Sequence, residues 1–501
     1  MKSSDIFDIC IVGGGINGAG IARDAVGRGY RVLLLEKDDL AQATSSSSTK
    51  LVHGGLRYLE RYDFKLVAKS LRERDVLLNL APHIIQPLRF IMPYIPHLRP
   101  LWMIRTGLWI YDILAYGTSL DKSNIISFKE NAYNGILKNG INKGIAYSDC
   151  RVDDARLVVL NAMDARNHGA TVRSRTACRS ITPDNDIWRI ETSNGEICHV
   201  HMVINAAGPW ATKLIREIEG TDKRSLRLSK GSHIVVPRIY QGNHAYILQN
   251  TDGRIVFTIP YEGHYTLIGT TDVDMGNDPD SSINIDDHEI NYLCTITNQY
   301  FQKNISPSDI VWGYAGIRPL IDEATGNISK NSRDYRLDLQ HVGGLPLLSV
   351  LGGKLTTYRV LAQEVVDQID TIFNRKSYHW TAHEKLPGGD IPDNNMARFV
   401  KEQYVQFPFL SRTLIHRYAY TYGTCTRTLL KDVQSLDDMG CDLGGGVYGR
   451  ELDYLHVHEL AMTGDDVLWR RTKLGLHLDA EVQKSVREYM ERKNGKIHSG
   501  N

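Results

Sequence analysis

The chain has 501 residues, enough for two or three domains and a large core, and its 59 basic and 58 acidic residues leave a formal net charge of +1. That balance excludes a global field of the kind that draws nucleic acid or anionic lipid, so any anion selectivity must arise from local placement. Seven scattered cysteines, odd in number and without a C-x-x-C pair, argue against a disulfide framework and a zinc site and suit a reduced cytosolic protein.

No secretory signal is expected, since Lys2 and Asp5 lead straight into an apolar run of strand length, Ile6–Val12. Gly13-Gly14-Gly15-Ile16-Asn17-Gly18 follows at once, then a helical stretch at 19–26 and a second apolar strand, Val32–Leu35, ending on Glu36. In such a strand–turn–helix unit Gly13 permits the tight bend and Gly15 lets backbone approach a pyrophosphate. Gly18 brings the helix close to the sheet, and the helix N-terminus offers free N–H groups. Glu36 stands 18 residues after Gly18, where a carboxylate accepts hydrogen bonds from an adenosine ribose. The polar segment 44–50 reads by composition as a linker. Its place after the second strand makes its hydroxyls and Lys50 candidate donors to a cofactor phosphate instead.

Phe64–Leu80 carries an amphipathic helical pattern halted at Pro82, and Pro87, Pro93, Pro96 and Pro100 punctuate a crossing away from the first domain. Leu101–Leu114, rich in Trp and Ile, is either an interfacial helix or one buried on several faces; no run approaches the roughly 18 apolar residues of a membrane span. A helix is expected over 153–165, a strand over 171–179, and another over 200–205 that ends in Ala206-Ala207-Gly208-Pro209-Trp210, a return to the dinucleotide site. Residues 231–273 alternate and are β-branched, which predicts an antiparallel meander suited to flooring a substrate cavity. A late strand runs into Gly352-Gly353-Lys354 and a helix near Leu355, a second phosphate-type turn. After a break at 386–392 the periodicity is mostly helical, and the basic cluster Arg470-Arg471-Thr472-Lys473 reads as a solvated face.

These segments together resemble the FAD-dependent glycerol-3-phosphate dehydrogenases, the aerobic, membrane-associated branch of the D-amino-acid-oxidase-like flavoproteins. The likeness rests on the N-terminal glycines, on 47–59 (SSTKLVHGGLRYL), on 147–149 with 152–157, and on 205–210 (NAAGPW). It continues through 230–233 (KGSH), 268–272 (IGTTD), 316–320 (GIRPL) and 352–359 (GGKLTTYR), in family order and over nearly the whole chain. The resemblance implies an α/β + α architecture: a Rossmann-like FAD-binding domain interleaved with an antiparallel-sheet substrate domain, followed by a helical C-terminal domain. The FAD-binding parts would fall at 1–80, 146–210 and 346–386, a substrate or cap region at 81–145, the antiparallel domain at 211–345 and the helical domain at 387–501.

It also implies oxidation of sn-glycerol 3-phosphate to dihydroxyacetone phosphate with hydride transfer to FAD. Electrons would pass to a membrane quinone, from a cytoplasmic protein held peripherally on the inner membrane, with room for a homodimer. An oxidase that uses O2 and makes H2O2 is the alternative, and neither nucleic acid nor a metal ion is expected. Cofactor contacts would come from Gly13, Gly15, Asn17, Gly18, Glu36, Lys37, Ser45, Ser46, Lys50, Leu51, Gly208, Trp210, Gly352, Gly353, Lys354, Leu355 and Thr356. The substrate phosphate, about a dianion at neutral pH, calls for cations at Arg57, Arg318 and Lys354, with Tyr58 and Thr270 positioning its oxygens. His233 is expected as base or orienter, His53 nearer the flavin ring, and Lys354 at phosphate or flavin. Asp149, Asp153 and Asp154 either act near the substrate or fix a loop, the second reading being favoured.

Overall fold

The computed structural model of the chain describes residues 6–96, 98–129, 133–220, 226–281, 283–321 and 334–498, so Lys2 and Asp5 lie outside the described residues. Two sheets organise it. The first is built on β1 (Ile6–Val12), whose parallel neighbours are β2 (Val32–Leu35) and the strand Ile197–Asn205. Leu345–Gly352 extends it in parallel beyond Ile197–Asn205, and Tyr335–Val342 closes that edge antiparallel. Thr171–Arg173 pairs with β2 on the other side. Continuous apolar runs make these strands because both faces are covered. On one face α1 (Ile16–Gly27) packs between the helices Asp154–Asn167 and Tyr358–Ile372, with Ile21, Ala25, Ala165, Leu361 and Val365 buried together. The expected strand over 171–179 is split into Thr171–Arg173 and Cys178–Asp184, the second turning back in a hairpin with Ile187–Thr192.

The second sheet contains the expected meander: Leu226–Pro237, Tyr265–Gly269, Ile255–Tyr261 and Ala245–Gln249 lie side by side, with Trp312–Ile321 on the outer edge of Leu226–Pro237. Ile85–Pro93 and Lys143–Val152 complete it, so residues on either side of 145/146 belong to one strand of the substrate sheet. Likewise Leu345–Gly352, across 345/346, is a strand of the first sheet. The two sheets therefore share the polypeptide in alternation, and the crossings at 36–51 and 206–217 deliver loops to the same cleft.

Helices α2 (Phe64–Leu80) and α3 (Leu101–Leu114) share a core with the second sheet, Val67, Leu71, Leu108 and Tyr111 packing with Phe90, Tyr147 and Leu267. Helix α3 buries only one stripe, Ile104, Leu108 and Tyr111, while Trp102 and Trp109 are 70% and 64% exposed. It is a two-faced helix rather than one buried all round. The C-terminal helices Met396–Gln406, Arg412–Tyr422, Gly449–Glu459 and Ala480–His498 surround a core of their own that includes Leu414, Tyr418, Leu452, Leu455 and Met490.

That helical region is fastened to the unit built on the first sheet by buried charge. Arg156 grips Glu459 with both terminal nitrogens, Nη2 donating to Oε1 at 3.0 Å. Arg471 donates to Asp39 Oδ1 at 2.8 Å, Arg470 to Asp39 Oδ2 at 2.5 Å, and Lys473 Nζ lies 3.4 Å from Asp153. The basic cluster at 470–473 is thus not a solvated face: Arg471 is 0% exposed and Lys473 6%. Its charges are matched by carboxylates more than 300 residues away, a pairing that local spacing cannot reveal. Removing one member of such a pair strands a buried charge, at a cost of about 3–5 kcal/mol. Arg156→Met is expected to lose about that much stability in urea unfolding, and Arg156→Met/Glu459→Leu to recover most of it. Equal loss in the single and double variants would show that the charge is not what holds the interface.

Candidate active site

The crossing loops enclose one long cavity of about 1230 Å³. At one end β1 passes into the glycine turn. Gly13 has φ +117°, and a Cβ there would stand 2.5 Å from the Ala206 carbonyl oxygen; at Gly18 it would stand 1.9 Å from the Gly13 carbonyl oxygen. The start of α1 is drawn onto the end of β1 because neither position carries a side chain. Helix α1 has no side-chain cap, so its first N–H groups face the cavity, apart from Ile16 N–H, which donates to Ser45 Oγ at 3.0 Å. Glu36 closes this end: its carboxylate accepts from Gly14 N–H at 2.6 Å and Asp38 N–H at 2.8 Å, and burial raises its pKa. Lys37 Nζ lies 4.1 Å from the centre of the Trp210 ring at the rim.

The late turn arrives from the opposite side. Gly352 and Gly353 have φ of +80° and +105°, then Leu355–Thr357 forms a single 3₁₀ turn that leads into the helix Tyr358–Ile372. Asn17 Nδ2 donates to the Gly352 carbonyl at 3.3 Å and ties the two glycine turns together. Asn17 Oδ1, shut from solvent, has no hydrogen-bond partner among the described residues. A buried acceptor of this kind is costly unless something donates to it, and it lines the cavity. Two glycine turns, a helix N-terminus, a carboxylate at ribose distance and an orphaned amide oxygen fit a dinucleotide such as FAD. Gly13, Gly15, Asn17, Glu36, Lys37, Ser45, Leu51, Gly208, Trp210, Gly352, Gly353, Lys354, Leu355 and Thr356 all line the cavity. Gly18 sits behind it, in the packing role its spacing suggested.

Two residues expected at the cofactor do not reach it. Lys50 is 4% exposed and turns away from the cavity, its Nζ donating to Asp154 Oδ1 at 2.7 Å and to the Ser46 carbonyl at 2.9 Å. Ser46 bonds back to the Ala43 carbonyl at 3.3 Å. Asp154 also receives Ser48 N–H and Oγ–H, at 3.1 and 2.7 Å. The hydroxyl segment is therefore pinned from its dry side, which leaves Thr44, Ser45, Ser47, Ser48 and Thr49 on the cavity wall. The expectation that Asp149, Asp153 and Asp154 fix loops agrees with their contacts: Asp153 caps the helix Asp154–Asn167, and Asp149 is buried against Arg74, Tyr111 and Gly54.

The substrate-type residues share this cavity. Arg57, Tyr58, Thr270, Arg318, Lys354 and His53 all line the same cavity. Arg318 Nη2 donates to Thr270 Oγ1 at 2.7 Å, and Lys354 Nζ lies 3.8 Å from the Tyr58 ring centre. Arg318 has room only because Gly231 lacks a Cβ, which would stand 2.3 Å from its Nη2. Asp272, 3.8 Å from Arg318 Nη1 and also on the wall, is a site residue that sequence reasoning passed over, although it closes the segment that supplies Thr270. His233 differs from its expected place. It is 0% exposed, one layer behind the wall, its Nε2 3.0 Å from Thr49 Oγ1 and its ring stacked on Tyr314 at 4.8 Å. Burial, with Arg318 and Lys50 nearby, holds its pKa well below the ordinary imidazole value. A neutral His233 supports Thr49, and the imidazole that meets the cavity is that of His53.

Comparison with known proteins agrees with this geometry. The family described as FAD dependent oxidoreductase matches residues 8–359. A glycerol-3-phosphate dehydrogenase of Pseudomonas tolaasii is 48% identical over 97% of this chain and 95% of its own. A D-erythritol 1-phosphate dehydrogenase of Brucella abortus is 43% identical over 99% of both chains. Among solved structures, the glycerol-3-phosphate dehydrogenase from Bacillus halodurans complexed with FAD superposes with a TM-score of 0.75 at 25% identity, covering 99% of this chain and 95% of that one. A Cβ at Gly15 already approaches Ser45 Oγ to 3.1 Å. Gly15→Val is therefore expected to yield folded protein without flavin absorbance near the visible maximum, whereas a fully yellow variant would remove Gly15 from the cofactor path.

Proposed function

This chain belongs to the FAD dependent oxidoreductase family, and on that premise we propose that it oxidises sn-glycerol 3-phosphate to dihydroxyacetone phosphate and passes the electrons to a membrane quinone. The observation that carries the reading is the presence of Arg57, Arg318 and Lys354, from three distant segments, in the lining of one cavity in a protein whose net charge is only +1. A phosphate monoester carries about −1.5 to −2 charges at pH 7, and bidentate guanidinium groups are its strongest side-chain partners. An amino-acid oxidase, with a single carboxylate to hold, has less use for three cations.

FAD, when bound, supplies the hydride acceptor. The chain does the rest. Arg57, Arg318 and Lys354 hold the phosphate end, and Tyr58 and Thr270, which both donate and accept, orient its oxygens. Thr270 is itself fixed by the Arg318 guanidinium, so anchoring and orientation are one assembly. His53, on the wall, takes the hydroxyl proton as the carbonyl forms. Lys354 and the turn at Leu355–Thr357 would hold the flavin ring, and the ammonium and the turn's N-terminus would favour negative charge there.

For the acceptor, the cavity lining includes the apolar residues Met92, Ile247, Ile255 and Phe257 together with Trp102 and Met103 of α3. Helix α3 turns Trp102, Trp109 and Ile113 outwards, with Tyr62 and Phe64 nearby on the rim. A strip of this kind, with no helix among the described residues long and apolar enough to cross a bilayer, suits peripheral docking on the cytoplasmic face of a membrane.

Anaerobic addition of glycerol 3-phosphate is expected to bleach the flavin of the purified protein; no bleaching would overturn the substrate reading. Bleaching only by a four-carbon polyol phosphate would move the substrate to the Brucella relative's class. Stoichiometric peroxide in air would replace the quinone by oxygen. Arg318→Ala is expected to raise KM and lower kcat, costing roughly tenfold to a hundredfold in kcat/KM. Wild-type kcat/KM in that variant would take Arg318 out of the site.

A further inference from the structure

Residues 53–58 carry His53, Arg57 and Tyr58 to the cavity, yet they contain no regular strand and are not part of either sheet. Their shape depends on a few tethers. On the cofactor side, His53 N–H donates to Thr356 Oγ1 at 3.3 Å. On the opposite side, Gly54 N–H donates to the phenol oxygen of Tyr111 at 2.9 Å and lies 3.4 Å from Asp149 Oδ1. Tyr111 O–H donates in turn to Asp149 Oδ2 at 2.7 Å, and Arg74 Nη1 holds Asp149 Oδ1 at 3.0 Å. Tyr111, Asp149 and Arg74 are each 1% exposed.

We infer that Tyr111 is a positioning residue: through its bond to Gly54 N–H it sets the peptide that aims His53, Arg57 and Tyr58 at the substrate. The inference rests on the proposed glycerol-3-phosphate reading for what is aimed, though not for the tether itself.

Three physical points carry it. First, a phenol has one proton and can both donate and accept, so Tyr111 is the group that converts an anion too far from Gly54 for a strong bond into a short relay. Gly54 N–H donates to Tyr111, Tyr111 O–H donates to the Asp149 carboxylate, and Arg74 donates to that carboxylate from the other side, so the linked bonds strengthen one another. Second, the contact admits no slack. A Cβ at Gly54 would stand 2.5 Å from the Tyr111 oxygen and 2.6 Å from Leu71 Cδ2, so the backbone has been brought as close as a glycine allows. Third, the next residue, Gly55, has φ +79° and its Cβ position lies 2.2 Å from the Tyr58 ring. The chain must therefore turn sharply straight after the tether, and a rotation of the Gly54 peptide is passed directly to Tyr58 and to the cation above its ring.

Tyr111 also belongs to α3, whose other face bears the exposed tryptophans. The seat of that helix and the geometry of the substrate loop are thus joined through one hydroxyl. Displacement of reacting groups by an ångström or so costs up to about a hundredfold in rate, so loss of the tether appears in kcat.

The test compares Tyr111→Phe with Leu108→Ala in the FAD-loaded protein, using a soluble dye as acceptor so that quinone access plays no part. Leu108 is buried on the same helix face and serves as the packing control. Tyr111→Phe is expected to keep its flavin and lower kcat about tenfold, while Leu108→Ala lowers the melting temperature and leaves kcat within about twofold. Amide exchange of the peptide spanning 51–59 is followed in parallel, and Tyr111→Phe is expected to speed exchange at Gly54 at least about tenfold. Unchanged exchange in Tyr111→Phe, or equal kcat losses in the two variants, would overturn the inference. If wild-type flavin is not bleached by glycerol 3-phosphate, the substrate reading fails alone; the exchange result then decides the tether.

Discussion

The buried pair Lys50–Asp154 is the interaction on which the cavity's shape most depends. It is dry on both sides, with Asp154 0% exposed, and it gathers Ser46, Ser48 and the start of the helix Asp154–Asn167 around one carboxylate. An isolated charge in that position would cost several kcal/mol, and here the Asp154 carboxylate accepts from Lys50, Ser48 and the Ala155 N–H while Lys50 also donates to the Ser46 carbonyl. The benefit is geometric. Together with the bonds of Thr44 to the Ile317 carbonyl and of Ile16 N–H to Ser45, the pair holds the serine-rich segment 44–50 so that five hydroxyl-bearing residues stand on the cavity wall. Lys473 and Asp153 extend the pairing into the C-terminal helices, so the helical region braces the same wall from behind.

What could be read from sequence follows from how local each determinant is. The glycine cradle was legible because strand, turn, helix and acidic residue occur within one βαβ unit, and the backbone there requires glycine for reasons of contact distance. The meander was legible from alternation. Arg57, Arg318 and Lys354 were legible as cavity residues because their motifs are specific. The direction in which a side chain points was not legible. Lys50 and His233 lie in equally specific motifs, yet each turns to the dry side of its element, because the partner that captures it, Asp154 or Thr49, comes from elsewhere in the chain. Arg470, Arg471 and Lys473 were misplaced for the same reason, since an exposed basic run and a buried paired one have identical sequences. Asp272 was overlooked because a carboxylate beside an anion site looks unfavourable until the arginine next to it is seen.

That apparent conflict explains how a nearly neutral chain makes a cationic pocket. Arg318 is not left bare: Asp272 at 3.8 Å and the Thr270 hydroxyl at 2.7 Å hold it in place before substrate arrives. Lys354 is held over the face of Tyr58, where the ring's negative quadrupole favours the ammonium without neutralising it. Both arrangements reduce the cost of confining like charges. On the proposed function, a phosphate meets groups already oriented, so little ordering entropy remains to be lost on binding. In that reading Arg57, Arg318 and Lys354 grip a small, mobile dianion with side chains, and the two glycine turns hold a long cofactor with backbone. Side-chain cations then allow release after each turnover, whereas backbone contacts spread over two glycine turns favour retention. The fold interleaves its two sheets so that both kinds of contact face one space.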